Sequence, residues 1–315
     1  MIKVFIDGSE GTTGLRIHDR LKARKDVELI SISEKLRKDL SARAERINNS
    51  DITFLCLPDA AAVEAVAAVV NPAVKVIDAS TAHRTAEGWV YGFPELDGSF
   101  RTAIQKGKRV AVPGCHASGF AAIVYPLVKL GIIGKDYPIT AFSLTGYSGG
   151  GKKMIAEYEN YDRSELFDSP RQYGLTQAHK HLPEMQKVTG LDIAPIFCPI
   201  VADYYSGMEV TVPIVSKLIG GLTAKDIHAE LSNYYAGQKL VKVMSFGGAD
   251  EGTNNFLPSN LMSGDDGMRI FVGGNDDRII VSAVFDNLGK GASGAAIQCM
   301  NIMCGIDEAE GLSIK

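Results

Sequence analysis

The stretch "VFIDGSEGTTGLRIHDRL" (Val4–Leu21) joins an apolar run to a glycine-rich turn and then to a segment with apolar residues at helical spacing. Glycines at such a junction let the backbone turn tightly and approach a pyrophosphate. The N-terminus of the following helix supplies unpaired N–H groups. The stretch therefore predicts a strand, a dinucleotide-binding loop and a helix, with the cofactor held by Gly8, Gly11, Thr12, Thr13 and Gly14.

The spacing of these glycines, G-x-x-G-x-x-G, differs from the commoner G-x-G-x-x-G. A simple glycine-rich turn therefore remains an alternative. Within the predicted helix, we expect Leu15, His18 and Leu21 to share a face.

The same alternation continues along the first third of the chain, in "VELISI", "ITFLCLP", "VKVIDAS" and "RVAVPG", with segments of helical length between these runs. Short β-branched runs separated by helices are typical of parallel βαβ units. Longer, alternating runs follow, "MEVTVPIV" and "DRIIVSAVFDN", and these favour a mixed sheet. The predicted fold is α/β, with an N-terminal Rossmann-like doubly wound parallel sheet and an α+β catalytic domain with a mixed sheet.

The domain boundaries follow from these patterns. "KGASGAAIQCMNIMCGI" (Lys290–Ile306) reads as a small-residue-rich helix that returns to the first domain. We expect a cofactor-binding domain of residues 1–114 and 290–315, and a catalytic and oligomerisation domain of residues 115–289.

Composition limits the partners. The chain has 315 residues, is 45% hydrophobic and carries a formal net charge of -4, so it offers no basic field for nucleic acid or anionic lipid. It contains neither an apolar run of the ~18 residues that a membrane span needs nor a signal-peptide pattern at its start. We therefore expect a cytoplasmic protein with a small-molecule substrate and without a nucleic-acid or membrane partner.

Cys115 lies after Pro113-Gly114, at the start of a predicted helix. The helix dipole and the unpaired N–H groups at that position lower the pKa of a thiol and favour the thiolate. A buried structural cysteine is the alternative, and it is the preferred interpretation for Cys56, Cys299 and Cys304, which lie in apolar segments. We therefore expect Cys115 to be a nucleophile.

A thiolate beside a nicotinamide has a specific use. It adds to an aldehyde, the hemithioacetal gives up hydride, and phosphate or water cleaves the thioester; in reverse, the site reduces an acyl phosphate. Such chemistry needs a proton shuttle, and "QAHKHLPEMQKV" offers two histidines. If this stretch is helical, His179 and His181 are ~200° apart and cannot both face one site, whereas His181 and Glu184 can. A zinc site has no obvious third ligand, so we expect no metal.

Two further runs offer groups for anions. "DASTAHR" supplies Ser80 and Arg84 where a strand ends, and "TGYSGGGKK" supplies Ser148, backbone N–H groups and Lys152. A solvated loop is the alternative for each run. At the end of the second strand, "ISISEKLRKD" offers Ser33 and Arg37 to a ribose 2′-phosphate. Glu34 argues for NAD instead, but on balance we expect NADP.

Seven motifs in order, "DGSEGTTG", "DASTAHR", "YGFPEL", "VPGCHASG", "TGYSGGGK", "AHKHLPEM" and "DNLGKGASGAAIQCMN", run from residue 7 to residue 301. Together they resemble the shorter form of the N-acetyl-γ-glutamyl-phosphate reductase family, within the semialdehyde dehydrogenase superfamily. The resemblance implies NADPH-dependent reduction of N-acetyl-L-glutamyl 5-phosphate to the 5-semialdehyde in arginine biosynthesis, through a thioester on Cys115. It also implies a homo-oligomer, a dimer or a tetramer.

The family's His-x-His-x-x-Glu motif corresponds to His179, His181 and Glu184, and the resemblance does not settle which histidine is the base. We further expect cofactor contacts at Ser148, Gly149 and Asn287. The longer form of the family reads Asn-Pro-Gly-Cys-Tyr-Pro-Thr where this chain has "VPGCHAS". His116 is therefore a candidate substrate-binding residue or a replacement for an aromatic ring. His83 has the same two interpretations.

Two other functions compete with this one. An aspartate-semialdehyde dehydrogenase would keep Cys115 and NADP but change the substrate. A cofactor-binding regulatory protein without catalysis would keep the fold alone.

Overall fold

The computed structural model describes residues 1–251 and 255–314. It divides into two compact units. Unit 1 comprises Met1–Gly114 with Ala292–Leu312, and unit 2 comprises Cys115–Gly291 with a short C-terminal piece that begins at Ser313. In the described residues, no helix is long and apolar enough to cross a membrane.

Unit 1 is built on a six-stranded sheet in the order β2-β1-β3-β4-β6-β5, and all of its ladders are parallel. The strands are β1 (Ile2–Asp7), β2 (Val27–Ile30), β3 (Ile52–Leu55), β4 (Lys75–Asp78), β5 (Val90–Tyr91) and β6 (Arg109–Ala111). The helices are α1 (Thr12–Lys22), α2 (Leu40–Asn48), α3 (Asp59–Ala67), α4 (Gly98–Lys106) and, from the end of the chain, α9 (Gly294–Cys304).

Both faces of this sheet are buried. Val4 and Ile6 of β1 pack in one core with Ile17 of α1, whereas Phe5, which points the other way, packs in a second core with Ile47 of α2. A parallel sheet covered by helices on both faces needs strands that are apolar throughout, and the strands of this chain have that pattern. The predicted doubly wound parallel sheet is confirmed.

The packed face of α1 differs from the prediction. Gly14, Ile17 and Leu21 are buried, but Leu15 is 49% exposed and His18 is only partly buried. Positions three and four residues apart lie on one side of a helix, so the buried set begins at Gly14 rather than at Leu15. Leu21 lies on the buried face and Leu15 does not, so the expectation that Leu15, His18 and Leu21 share one face is wrong.

Unit 2 contains a seven-stranded sheet in the order β11-β12-β13-β10-β7-β9-β8. Its strands are β7 (Thr140–Gly146), β8 (Arg171–Gln172), β9 (Ile196–Ala202), β10 (Met208–Val215), β11 (Val241–Val243), β12 (Met268–Gly274) and β13 (Arg278–Phe285). The β7–β9 and β11–β12 ladders are parallel and the other ladders are antiparallel, so the predicted mixed sheet is confirmed. The helices are α5 (Cys115–Lys129), α6 (Gly151–Tyr158), α7 (Leu182–Thr189) and α8 (Ala224–Tyr234).

Helix α5 lies directly on this sheet. A Cβ at Gly119 would stand 2.5 Å from Cγ2 of Val210 and 2.8 Å from Cε1 of Phe285, so only glycine allows this approach. The opposite face of the sheet carries a strip of apolar side chains that are 42–59% exposed: Phe142, Ile196, Val215 and Ile280.

Candidate active site

Cys115 is the first residue of α5 and is partly buried. The predicted position of this thiol at a helix start is confirmed. Its surroundings are tight, because a Cβ at Gly291 would lie 2.9 Å from Cβ of Cys115. The N–H of Gly291 donates to the carbonyl of Asp286 at 3.0 Å, which fixes this segment. Gly291 was not among the predicted site residues, because only its place in a glycine-rich run marks it in the sequence.

His116, the next residue, is buried at 3% exposure. Its Nδ1 lies 2.6 Å from Oγ of Ser143, and its Nε2 lies 2.7 Å from the hydroxyl of Tyr173. Burial, and then the nearby charges of His179 and Lys180, lower the pKa of His116 to about 3. The imidazole is therefore neutral near pH 7.

Tyr173 follows β8 and was not among the predicted site residues. Burial, and then the charge of Cys115, raise the pKa of its phenol above the ordinary value, so the hydroxyl keeps its proton. Sequence reasoning missed Tyr173 because one tyrosine after a short strand has no spacing that marks it as functional.

His179 and His181 lie in the turn before α7, not in a helix. Their ring centroids are 4.8 Å apart, and they lie 5.6 Å and 5.5 Å from the ring of His116. The expectation that the two rings cannot face one site is therefore wrong. Pro183 explains the difference, because proline favours the first turn of a helix and α7 begins at Leu182.

The two histidines differ in their hydrogen bonds. Nδ1 of His179 accepts from the backbone N–H of His181 at 3.1 Å. Burial, and then the charge of Lys180, lower the pKa of His179 to about 4. A neutral ring that accepts at Nδ1 carries its proton on Nε2. His181 and Glu184 are both buried, at the N-cap and in the first turn of α7.

A second polar cluster of unit 2 contains Ser148 and Asn287. Nδ2 of Asn287 donates to Oγ of Ser148 at 3.1 Å, and its Oδ1 accepts from the N–H of Gly207 at 2.9 Å. Gly149 is exposed next to this pair, and Lys152 is exposed in the first turn of α6. The structure therefore brings the predicted residues Ser148, Gly149 and Asn287 together.

Ser80 of unit 1 is bound to the end of β4. Its hydroxyl donates to Oδ2 of Asp78 at 2.7 Å and its N–H donates to Oδ1 at 2.9 Å. Asp78 also lies 2.5 Å from Nδ1 of His83, whose ring stacks on Trp89 at 4.1 Å. The ring of His83 therefore contacts Asp78 at its polar edge and Trp89 on its face, both within unit 1.

Arg84 is held by backbone carbonyls of the same unit. Its Nε donates to the carbonyl of Val112 at 2.9 Å, and its Nη2 donates to that of Ala79 at 3.2 Å. Arg84 therefore links the segment that follows β4 to the segment that follows β6, besides any contact that it makes with substrate.

In the glycine loop, two of the three glycines are required by the fold. Gly8 has φ +89°, and a Cβ there would lie 2.3 Å from the carbonyl oxygen of Cys56. A Cβ at Gly14 would lie 2.3 Å from the carbonyl oxygen of Gly8. At Gly11 the nearest atom would be 3.5 Å away, so the fold itself leaves room for a side chain.

Gly11 is the N-cap of α1, and no side chain caps this helix end. Thr12 and Thr13 form its first turn, where backbone N–H groups and the helix dipole favour an anion. A cavity of about 200 Å³ lies beside the loop and the end of β2, lined by Phe5, Ile6, Ser9, His18, Leu29, Ile30, Ser31 and Ile32. Loop, helix end and cavity together fit a dinucleotide.

Ser33 and Arg37 lie in the turn that follows β2. The guanidinium of Arg37 is exposed and lies 3.4 Å from the carboxylate of Glu34. Surface ion pairs of this kind are weak, so an incoming phosphate can compete for the guanidinium. Among the described residues, no group of three or more His, Cys, Asp or Glu side chains could hold a metal ion.

Comparison with known proteins agrees with these features. Residues 3–105 match the family model "Semialdehyde dehydrogenase, NAD binding domain", and residues 115–287 match "Semialdehyde dehydrogenase, dimerisation domain". An N-acetyl-gamma-glutamyl-phosphate reductase of Burkholderia lata is 45% identical over 306 residues, covering 96% of each chain. One of Trichormus variabilis is 45% identical over 320 residues, covering 98% of this chain and 99% of the relative.

The chain belongs to the N-acetyl-γ-glutamyl-phosphate reductase family. It is therefore an oxidoreductase of the semialdehyde dehydrogenase type with an NAD(P)-binding domain and a dimerisation domain.

Solved structures show the same fold in more distant proteins. Aspartate semialdehyde dehydrogenase from Francisella tularensis is similar, with a TM-score of 0.72 and 17% sequence identity. The match covers 96% of this chain and 100% of that chain. Aspartate semialdehyde dehydrogenase II from Vibrio cholerae has a TM-score of 0.70 at 16% identity, covering 97% and 99%. At these identities the likeness concerns the fold alone.

The different surroundings of Gly11 and Gly14 yield a prediction. Gly11→Ala should fold normally, because the backbone there (φ -74°, ψ 164°) suits any residue, but it should raise the NADP dissociation constant by about tenfold or more by blocking the approach of the pyrophosphate. Gly14→Ala should lower the free energy of unfolding by about 1–3 kcal/mol. Thermal melts and cofactor titration by fluorescence measure the two effects; unchanged cofactor affinity in Gly11→Ala would exclude this loop as the binding site.

Proposed function

We propose that this chain reduces N-acetyl-L-glutamyl 5-phosphate to N-acetyl-L-glutamate 5-semialdehyde and phosphate with NADPH, a step of arginine biosynthesis. One observation carries the proposal: Cys115 begins a helix beside a buried cluster that contains His116 and Tyr173, in a chain 45% identical to enzymes of that name. None of its five cysteines, all of which lie in the described residues, forms a disulfide, which suits the reducing cytoplasm, where we place the reaction.

The first step is attack by the thiolate of Cys115 on the acyl carbon. The carbon–sulfur bond forms, the bond from carbon to the phosphate oxygen breaks, and phosphate leaves with that electron pair. The N-terminus of α5 stabilises the thiolate before the attack. When bound, NADPH supplies the hydride that reduces the thioester carbon.

The hydride converts the thioester into a hemithioacetal, whose carbon–sulfur bond then breaks to release the semialdehyde and regenerate Cys115. A proton must move between the substrate oxygen, the thiol and solvent during this step. In the reverse direction, the hemithioacetal hydroxyl has to lose its proton to a base. We assign this role to His181, because Nδ1 of His179 already accepts a backbone hydrogen bond and its Nε2 carries a proton. Glu184, buried in the first turn of the same helix, is proposed to orient His181.

The cofactor is proposed to lie with its pyrophosphate on Gly8, Gly11, Thr12, Thr13 and Gly14. Its 2′-phosphate would contact Ser33 and Arg37. Ser148, Gly149 and Asn287 remain proposed cofactor contacts from unit 2. For the substrate, Lys152 offers an exposed ammonium to the phosphate. Ser80 and Arg84 remain proposed substrate-binding residues. The third candidate, His116, has both ring nitrogens at hydrogen-bond distance from Ser143 and Tyr173, so we do not assign it a contact with substrate.

The reverse assay tests the substrate. With NADP and phosphate, the enzyme should use N-acetylglutamate semialdehyde at least about 10³-fold more efficiently than aspartate semialdehyde, because the latter carries an α-ammonium that a pocket for a neutral amide leaves unpaired. Cys115→Ser should lower the rate by about 10⁴-fold or more while cofactor affinity stays within a few-fold.

Equal use of the two semialdehydes would overturn the substrate assignment and leave the thioester chemistry standing. Turnover that survives in Cys115→Ser would overturn that chemistry. No turnover with either aldehyde, despite cofactor binding, would favour the regulatory alternative.

The assignment of the base predicts a difference between two variants. Because His179 has a pKa of about 4, it stays neutral from about pH 5 to 8. Its protonation therefore does not change the rate of the reverse reaction in that range. The fall in rate as pH decreases in that range should therefore disappear in His181→Asn, with about 10²–10⁴-fold lower kcat, and persist in His179→Asn. If the fall in rate at low pH disappears only in His179→Asn, His179 is the base.

Cofactor preference is tested at the turn after β2. Arg37→Ala should raise the KM for NADPH by about tenfold and leave the KM for NADH nearly unchanged, because only NADPH carries the 2′-phosphate. Lys22→Ala, at the exposed end of α1, is the control. Equal changes in both KM values would mean that Glu34 rather than Arg37 governs the choice.

We also propose that copies of the chain associate through the exposed apolar strip of the mixed sheet, consistent with the dimerisation-domain match. Ile280→Lys should shift the protein towards monomers in sedimentation velocity. Val63→Lys should not, although Val63 of α3 is 51% exposed and Ile280 is 49% exposed. An Ile280→Lys variant that sediments like the native protein would place the interface elsewhere.

A further inference from the structure

His116 connects two polar side chains from separate parts of unit 2. Ser143 lies in the middle of β7 and is fully buried, and Tyr173 follows β8. Both ring nitrogens of His116 are at hydrogen-bond distance from these hydroxyls, 2.6 Å and 2.7 Å. The imidazole therefore has a fixed orientation, and neither nitrogen is left for Cys115 or substrate.

Tyr173 lies near the nucleophile, because its hydroxyl contacts His116, the residue that follows Cys115 in the chain. The charge of Cys115 acts on the phenol, and the tyrosine ring also contacts the ring of His179, with centroids 5.9 Å apart. A protonated phenol near a thiolate can donate a hydrogen bond to the sulfur.

The protons of the network can be arranged so that every group is satisfied. The hydroxyl of Ser143 donates to Nδ1 of His116, and Nε2–H of the same neutral ring donates to the oxygen of Tyr173. The O–H of Tyr173 is then left to point away from His116. A charged imidazole would donate at both nitrogens, but burial disfavours that form.

We propose that His116 is a positioning residue that, fixed on Ser143, holds the hydroxyl of Tyr173 so that this hydroxyl donates a hydrogen bond to the thiolate of Cys115. The proposal rests on the nucleophilic role of Cys115 in the proposed function. The proposal explains why His116 follows Cys115 in the chain although its own ring nitrogens are not available to the thiolate.

The test compares four variants: His116→Leu and Tyr173→Phe remove the hydrogen bond, His116→Gln keeps an amide able to reach Tyr173, and Phe197→Leu is the control. Phe197 packs 5.3 Å from the ring of His116 and is buried, but it adds no polar contact to the network. The readouts are the reverse rate and the pH profile of iodoacetamide labelling at Cys115. Cys56 serves as the unlabelled reference, because burial, then the charges of Asp78 and Asp7, raise the pKa of its thiol to about 12.

A hydrogen bond to a thiolate favours the charged form, so its loss shifts labelling to higher pH. We expect His116→Leu and Tyr173→Phe each to move the labelling midpoint up by about one pH unit and to lower kcat about 10- to 100-fold. The double variant should add nothing further, and His116→Gln should restore most of both effects. Phe197→Leu should leave the midpoint unchanged.

Additive effects in the double variant, or the same shift in Phe197→Leu, would mean that His116 acts only by packing. A normal midpoint in Tyr173→Phe would also overturn the proposal, and this variant does not depend on replacing a buried histidine. The outcome is separate from that of the proposed function, because the native enzyme's turnover of N-acetylglutamate semialdehyde decides the latter.

Discussion

The close contact between α5 and the mixed sheet is the constraint on which the site of unit 2 depends. Gly119 has no side chain, so the helix can lie directly against Val210 and Phe285. This contact sets the depth of the first turn of α5, and with it the positions of Cys115 and His116. Any residue larger than glycine at position 119 would lift the helix, and the 2.6 Å contact from His116 to Ser143 on the same sheet would be lost. The packing of Gly119 on the sheet therefore makes the hydrogen bond between His116 and Ser143 possible.

In the glycine loop of unit 1, the fold requires two of the three glycines and does not require the third. Gly8 and Gly14 are explained by contacts within the chain, since a side chain at either would collide with backbone. Gly11 is not explained by the fold, which leaves space at that position. A glycine where the fold tolerates a side chain suits the proposed close approach of the cofactor, and the helix N-terminus at Gly11 favours the negatively charged pyrophosphate.

The sequence was sufficient for features that depend on local pattern and failed where side chains meet across the fold. Continuous apolar strands predicted the parallel sheet, and Pro113-Gly114 before an apolar run predicted the helix start at Cys115. The turn at His179 and His181 was missed because the helical period was extended past Pro183, which itself marks the first turn of α7. The link from His116 to Tyr173 joins residues 57 positions apart, and the carbonyls that bind Arg84 belong to two strand ends. Neither contact leaves a periodic signal in the chain.

In the cluster of His116, His179 and His181, the first two rings act as neutral hydrogen-bonding groups rather than as charges. The centroids of the three rings lie 4.8–5.6 Å apart, so a proton on one ring raises the free-energy cost of protonating its neighbour. Burial is the main cause of the low pKa values, about 3 for His116 and about 4 for His179; the charge of His179 lowers the pKa of His116 further, and that of Lys180 lowers both. Between pH 6 and 8 these two rings therefore do not change charge. Their nitrogens then serve as fixed donors and acceptors. In the proposed reaction, the cluster keeps one hydrogen-bond arrangement while a negative charge forms on the sulfur of Cys115 and moves to the departing phosphate.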